Sequence, residues 1–193
     1  LESVVVAFSG GVDSSFLAAA AYKVLGDKAI AVTAVSETLS ETEKMEARKT
    51  AATIGIKHEE VWISELEDPE FVANNGDRCY HCKHTRFGAL TTWAKEHGYK
   101  WVIDGSNIDD LCDYRPGMKA IKELNGVCSP LLENGLAKED IRSLSKVWGL
   151  PTWNKLSMPC LSSRIAYGEQ ITPERLRQVE QAEEIIRKYV KGP

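Results

Sequence analysis

The chain has 193 residues, of which 43% are hydrophobic and 27% charged, with a formal net charge of −4. This suits one sizeable globular domain, or one domain plus a fragment. It lacks the overall basic excess of a duplex-binding protein, so a nucleic acid partner is disfavoured, and only a local basic patch would leave room for tRNA.

Val4-Val5-Val6-Ala7-Phe8 is a β-branched run without alternation, as a buried parallel strand requires. It ends in Ser9-Gly10-Gly11, and a helical run follows from Asp13 to Leu25. Residues 29–35 predict a second buried strand, residues 40–54 a charged helix stopped by Gly55, and residues 58–63 a third, half-exposed strand. The stretch 64–77 is polar and broken by Pro69 and Gly76. A helix is expected over about residues 79–97, and a fourth strand at Trp101-Val102-Ile103-Asp104-Gly105. A polar loop over 106–116, a short helix and a fifth strand near 127–131 follow. The next helix covers 138–148, with Ile141, Leu144 and Val147 or Trp148 on one face. Thr172-Pro173-Glu174 is a helix start with a cap, a proline and an acid in the first turn.

Strands alternating with helices predict right-handed βαβ units. The expected fold is α/β: a Rossmann-like parallel sheet of about five strands with helices on both faces. Ligands of such sheets lie at the carboxyl ends of the strands. The division expected is a nucleotide-binding domain over residues 1–168, then a helix over 169–193 leading into a C-terminal region. Leu1 stands where a Met would start a gene product, and the last helix stops at Gly192-Pro193, so the natural chain is expected to extend both ways. No apolar run approaches the roughly 20 residues that cross a bilayer, and no secretory segment opens the chain.

Glycines at 10 and 11 allow backbone N–H groups to approach a phosphate closely, and the helix that follows aims its positive end there. Ser9, Ser14 and Ser15 add hydroxyl donors. Asp13 would not favour a phosphate directly and suits a Mg²⁺ ligand or a helix cap. Neither a Walker loop nor a dinucleotide fingerprint is present. Ser36 and Asp104-Gly105-Ser106 end strands on the same rim. Asp109, Asp110 and Asp113 are further Mg²⁺ candidates, each as readily read as solvated loop acid. The full Ser9-Gly10-Gly11-Val12-Asp13-Ser14-Ser15 resembles the PP-loop of the ATP pyrophosphatase group, of the adenine nucleotide alpha-hydrolase type. The resemblance implies ATP binding, adenylation of a substrate oxygen and release of pyrophosphate.

The five cysteines are Cys79, Cys82, Cys112, Cys128 and Cys160. An odd count without a secretion signal reads as reduced, cytoplasmic thiols. Cys79 and Cys82 open a helix beside Arg78, Lys83 and Arg86, a setting expected to lower thiol pKa values. Three readings stand for Cys79, Cys82 and Cys160: packing residues, a zinc site completed by His81 or His84, or an iron–sulfur cluster on three thiolates with one iron open. Cys112 and Cys128 read as structural.

Asp113-Tyr114-Arg115-Pro116-Gly117-Met118-Lys119-Ala120, Trp153-Asn154-Lys155 and Cys160-Leu161-Ser162-Ser163-Arg164 together with the PP-loop resemble the LarE family, over nearly the whole chain. Members are ATP-dependent sulfur transferases of nickel-pincer cofactor synthesis, acting on a pyridinium mononucleotide. The resemblance implies a sacrificial Cys160 in one branch. In the other, Cys79, Cys82 and Cys160 carry a 4Fe–4S cluster with an extra sulfide, and the three cysteines here match that branch. The chemistry gives Arg164 to phosphate or adenylate oxygens ahead of a plain surface arginine, and Lys83 to developing negative charge about as readily as to a surface lysine. The resemblance also implies ATP, Mg²⁺, a sulfide or other sulfur donor, a homo-oligomer, and a smaller C-terminal domain beyond residue 193. A tRNA thiolation enzyme and an ammonia-using NAD or GMP synthetase-like ligase are the competing functions.

Overall fold

The computed structural model describes residues 1–112 and 116–190. Its five strands are β1 (Val4–Ala7), β2 (Ala29–Val35), β3 (Lys57–Trp62), β4 (Trp101–Ile103) and β5 (Val127–Cys128). All pair in parallel, in the order β3-β2-β1-β4-β5. The helices are α1 (Val12–Leu25), α2 (Glu41–Ile54), α3 (Pro69–Val72), α4 (Arg78–Glu96), α5 (Pro116–Glu123), α6 (Pro130–Glu133), α7 (Lys138–Val147) and α8 (Pro173–Tyr189).

The apolar runs do not alternate because both faces of the sheet are covered. Val4, Val6, Ala29, Ala31 and Ile103 join Phe16, Leu17, Ala47 and Ile141 on one face. Val5, Ile30, Val32 and Val102 join Phe87, Leu90 and Ile121 on the other. The edge strand β3 keeps Trp62 64% exposed, which agrees with its half-exposed pattern. Among the described residues no helix is long and apolar enough to cross a membrane.

Several expectations shift. The fifth strand stops at Cys128, because Pro130 cannot donate to a ladder and instead opens α6. On α7 only Ile141 and Ser145 are buried, and Val147 is 80% exposed. Trp148 instead leans on Phe16 with ring centroids 4.9 Å apart. The polar stretch 64–77 is more ordered than its composition suggests. Phe71, Glu65 and Asn74 there are all buried, and Phe71 joins Leu161, Ile165, Ile171 and Leu176 in a third apolar cluster. Asp113, Tyr114 and Arg115 of the family-like motif, and the terminal Gly192-Pro193, lie outside the described residues.

Candidate active site

The sheet order reverses direction between β1 and β4, so the loops after these strands part and leave a crevice at their carboxyl ends. A cavity of about 580 Å³ occupies it. Ser9, Gly11, Asp13 and Ser14 line one part, Asp104, Gly105 and Lys138 flank them, and Cys79, Cys82, Lys83, Arg86 and Cys160 line the other. Ala7, Val32, Phe87 and Leu90 add an apolar wall.

The phosphate loop is shaped by two close approaches. Gly10 has φ +69°, and a Cβ there would lie 2.8 Å from the Ala47 Cα of α2, so both backbone and packing require glycine. A Cβ on Gly105 would lie 3.1 Å from the Cβ of Asp13, which presses the loop after β4 onto the start of α1. Ser14 Oγ lies 3.1 Å from Ser9 Oγ, and the Ser9 N–H donates to Ser14 Oγ at 3.3 Å. Ser15 faces inward, its Oγ buried without a hydrogen-bond partner, and Gly11 takes the N-cap position. Asp13 therefore does not cap α1. It forms an ion pair with Lys138 and accepts from Asn107 Nδ2 at 3.4 Å. Lys155 Nζ donates to the Gly10 carbonyl at 3.0 Å and meets Glu46 of α2 at 2.7 Å. Asp104 accepts from the hydroxyls of Ser106 and Ser129.

At the thiol end, α4 presents Cys79 and Cys82 one turn apart, on one face. Cys82 Sγ donates to Glu65 Oε1 at 3.4 Å, and Arg86 Nε donates to the same oxygen at 2.5 Å. Arg86 Nη2 reaches Thr38 Oγ1 at 2.8 Å and Ser36 Oγ at 3.2 Å. Ser36 is thus fully buried and occupied in holding Arg86 rather than lining the cavity. The expected lowering of thiol pKa fails at Cys82. Burial pushes it up to about 12, against the pull of Arg86 and with help from the Glu65 charge. For Glu65 itself burial raises the pKa, but Arg86 and its hydrogen bonds outweigh this and keep the group below the ordinary carboxyl value. The positive end of α4 and a neighbouring arginine do not compensate for a thiol removed from water. Cys128, in β5, is likewise raised by burial, to about 11.

Cys160 precedes a short turn at Leu161–Arg164, with its Sγ 3.1 Å from Ser162 Oγ. The Leu161 N–H donates to the Thr38 carbonyl at 3.2 Å. Lys83 lies under the start of α5, where a Cβ on Gly117 would come within 2.7 Å of the Lys83 Cδ. Like Ser15 and Ser36, Arg164 is placed away from the cavity wall. Its Nε donates to Glu183 of α8 at 2.8 Å. Among the described residues no three Cys, His, Asp or Glu side chains gather closely enough to hold a single metal ion.

The family model for NAD synthase matches residues 1–77, which contain the phosphate loop. The chain is 47% identical to an uncharacterized protein of Synechocystis sp., over 97% of this chain and 70% of that one. It is 37% identical to the pyridinium-3,5-bisthiocarboxylic acid mononucleotide synthase of Lactiplantibacillus plantarum, over 97% of this chain and 68% of that one. The chain belongs to this synthase's family, the LarE family. It is thereby an ATP-dependent sulfur transferase of the PP-loop type. The NMN synthetase of Francisella tularensis shares the LarE-family fold, with a TM-score of 0.64 at 18% identity, covering 100% of this chain and 89% of that one.

Composition and spacing do not reveal Lys138, Lys155, Glu65 or Asn74 as site residues of this LarE-family chain, and they read Arg86 only as a cation near the thiols. Lys138 meets Asp13 across 125 positions and Lys155 meets Gly10 across 145, separations that carry no local periodicity. The one available signal was Lys155 itself, inside the Trp153-Asn154-Lys155 stretch.

Proposed function

We propose that the chain uses ATP to adenylate a carboxylate of pyridinium-3,5-biscarboxylic acid mononucleotide and replaces one oxygen with sulfur, giving a thiocarboxylate. The observation that carries this reading is one cavity lined by both the phosphate loop and three thiols. A carboxylate is a poor electrophile, and adenylation gives it a good leaving group. Its oxygen attacks the α-phosphorus of ATP, the bond to the β-phosphate oxygen breaks, and pyrophosphate leaves. A sulfur nucleophile then attacks the acyl carbon, and the bond to AMP breaks.

The apolar wall of Ala7, Val32 and Phe87 suits the adenine ring. Ser9, Gly10, Gly11 and Ser14 serve the departing pyrophosphate, and Lys138 joins them when it exchanges Asp13 for phosphate oxygen. Asp13 would then hold Mg²⁺, which takes its other ligands from phosphate and water and supplies charge to the leaving group. Lys83, which lines the cavity with Cys79, would steady negative charge developing on the acyl oxygen.

The thiols fit a cluster by their chemistry. A cluster spreads its ligands over several irons, so three thiols need to share a cavity wall rather than converge on a point. A 4Fe–4S cluster on Cys79, Cys82 and Cys160 would, when bound, supply sulfide on the iron that no cysteine holds. Cys160 also serves the sacrificial route: its thiolate displaces AMP to form a thioester, and loss of the Cys160 Cα proton then breaks its Cβ–Sγ bond, leaving dehydroalanine on the chain and the sulfur on the thiocarboxylate.

The test is anaerobic reconstitution with iron and sulfide, followed by incubation with ATP and the biscarboxylate mononucleotide. The expected result is pyrophosphate release that requires the mononucleotide, and a product whose mass shows oxygen exchanged for sulfur. About four irons per chain, lost in Cys79→Ala, Cys82→Ala and Cys160→Ala, mark the cluster route. Pyrophosphate release driven by ammonium or by tRNA, and not by the mononucleotide, would sink the proposal.

A further inference from the structure

Cys160 has little to hold it from its N-terminal side. Leu156, Ser157 and Pro159 are exposed, and the segment after the Lys155 anchor has no regular structure. On its C-terminal side the situation reverses. Arg78, 6% exposed, sends Nη1 to the Ser162 carbonyl at 3.0 Å and to Asn74 Oδ1 at 2.6 Å. Asn74, 0% exposed, turns its Nδ2 to the carbonyls of Ile165, Ala166 and Glu169 at 3.3, 2.8 and 3.0 Å. The Asn74 carbonyl accepts from the Gly168 N–H at 3.2 Å. Asn74 has φ +55°, an uncommon backbone state for a residue with a side chain. The guanidinium of Arg78 also lies over the Tyr167 ring, 5.4 Å from its centre.

These contacts have a direction. Asn74 comes from the turn leading into α4, and Arg78 is the first residue of that helix, immediately before Cys79. Every bond they make across the site ends on backbone of the segment that begins at Cys160. A backbone carbonyl fixed by a buried donor cannot drift without leaving that donor unsatisfied, which is costly away from water. Stability alone would be served by the apolar cluster of Phe71, Leu161, Ile165 and Leu176 beneath, which is not directional. The polar bonds add orientation.

We propose that Asn74 and Arg78 are positioning residues that hold the Cys160 thiol in register with Cys82 across the cavity. This rests on the sulfur-transfer reading of that site, since only there does the spacing of the two thiols matter to the chemistry. The pair acts through Cys160 and does not itself touch substrate.

The test uses dibromobimane, which fluoresces once it has bridged two nearby thiols, on the metal-free protein in a Cys79→Ser background. Mant-ATP binding and circular dichroism report the phosphate loop and the fold. Asn74→Gly removes the side chain while tolerating φ +55°. Arg78→Ala removes both bonds, and Arg78→Lys retains one donor. At pH 9 the parent is expected to be alkylated first at Cys160 and then, on long incubation, to bridge from that tether to the buried Cys82, with the signal abolished by Cys160→Ser. Asn74→Gly and Arg78→Ala should keep mant-ATP binding and lose cross-linking about tenfold, as loss of a charged buried hydrogen bond implies. Arg78→Lys should fall between. Parental cross-linking in variants that bind mant-ATP overturns the assignment, as does a parent that does not cross-link. Loss of mant-ATP binding in all three variants, Arg78→Lys included, also overturns it, because the pair then supports the whole fold rather than one thiol. Neither the mononucleotide nor a sulfur donor enters the measurement, so the positioning role and the sulfur-transfer reaction fail separately.

Discussion

Gly10 is the residue on which the phosphate loop turns. An alanine there meets the backbone of α2 and a left-handed φ together. The conformational term alone costs about 1–2 kcal/mol, and the contact at 2.8 Å can be relieved only by moving α2. Gly10→Ala is therefore expected to lower stability by at least that amount and to abolish ATP binding, checked by chemical denaturation and nucleotide titration. Gly11→Ala meets only Ser9 Oγ at 3.4 Å, so it should fold normally and weaken ATP binding alone. Cys82 gives a second residue-scale test. Its pKa rises from the ordinary 9.0 to about 12 on folding. Below pH 9 both folded and unfolded chains keep the proton, and the stability from this group is intact. As pH rises through 9 toward 12 the unfolded chain releases it first, so stability falls with rising pH. In metal-free protein the alkaline loss of melting temperature should flatten in Cys82→Ala, and more than in Cys128→Ala. Equal slopes in parent and Cys82→Ala would contradict the buried thiol. The glycines were legible in the sequence because their reasons are local. The direction of the Cys82 shift was not, because Glu65 and the burial that set it come from a stretch whose composition reads as loop.

At the scale of elements, Arg86 fastens three of them. It joins α4 to Glu65 in the turn before α3, and to Ser36 and Thr38 after β2. Thr38 in turn accepts from Leu161 beside Cys160, so the network reaches both sides of the thiol end. Glu65 is fully buried, and removing its cation leaves a charge out of water. Arg86→Met is expected to cost about 3–5 kcal/mol, whereas replacing both partners by apolar residues of similar volume costs much less. Urea unfolding of Arg86→Met, Glu65→Leu and the double variant measures the coupling. Additive losses would show that the pair does not act as a unit. The alternation of strands and helices, and so the sheet, could be read from periodicity. The second layer of anchors could not: Glu65, Asn74 and Lys155 contact residues at separations of 21, 91 to 95 and 145 positions. The same limit applies to Arg164, whose partner Glu183 lies on the next helix and leaves the guanidinium outside the cavity.

For the whole molecule, the strand order decides where chemistry occurs. Because β1 lies at the centre with β2 and β4 on either side, the phosphate loop, the loop after β4 and the first turns of α4 and α7 open onto one crevice. Two cations already stand at its phosphate end, Lys138 on Asp13 and Lys155 on the Gly10 carbonyl, so the loop is held in shape before nucleotide arrives. Little ordering should then be needed on binding, and most of the affinity should appear as stability. Nucleotide at about 100 times its Kd contributes about 2.7 kcal/mol. For a chain of this size that corresponds to a rise in melting temperature of about 5–10 °C. The rise should shrink in Lys138→Ala, which loses a phosphate ligand. In Lys155→Ala it should shrink while the unliganded protein also melts earlier, because that lysine supports the loop itself. Thermal melts with and without Mg²⁺-ATP separate the two roles. An unchanged ATP-induced rise in both variants would place the nucleotide away from this crevice.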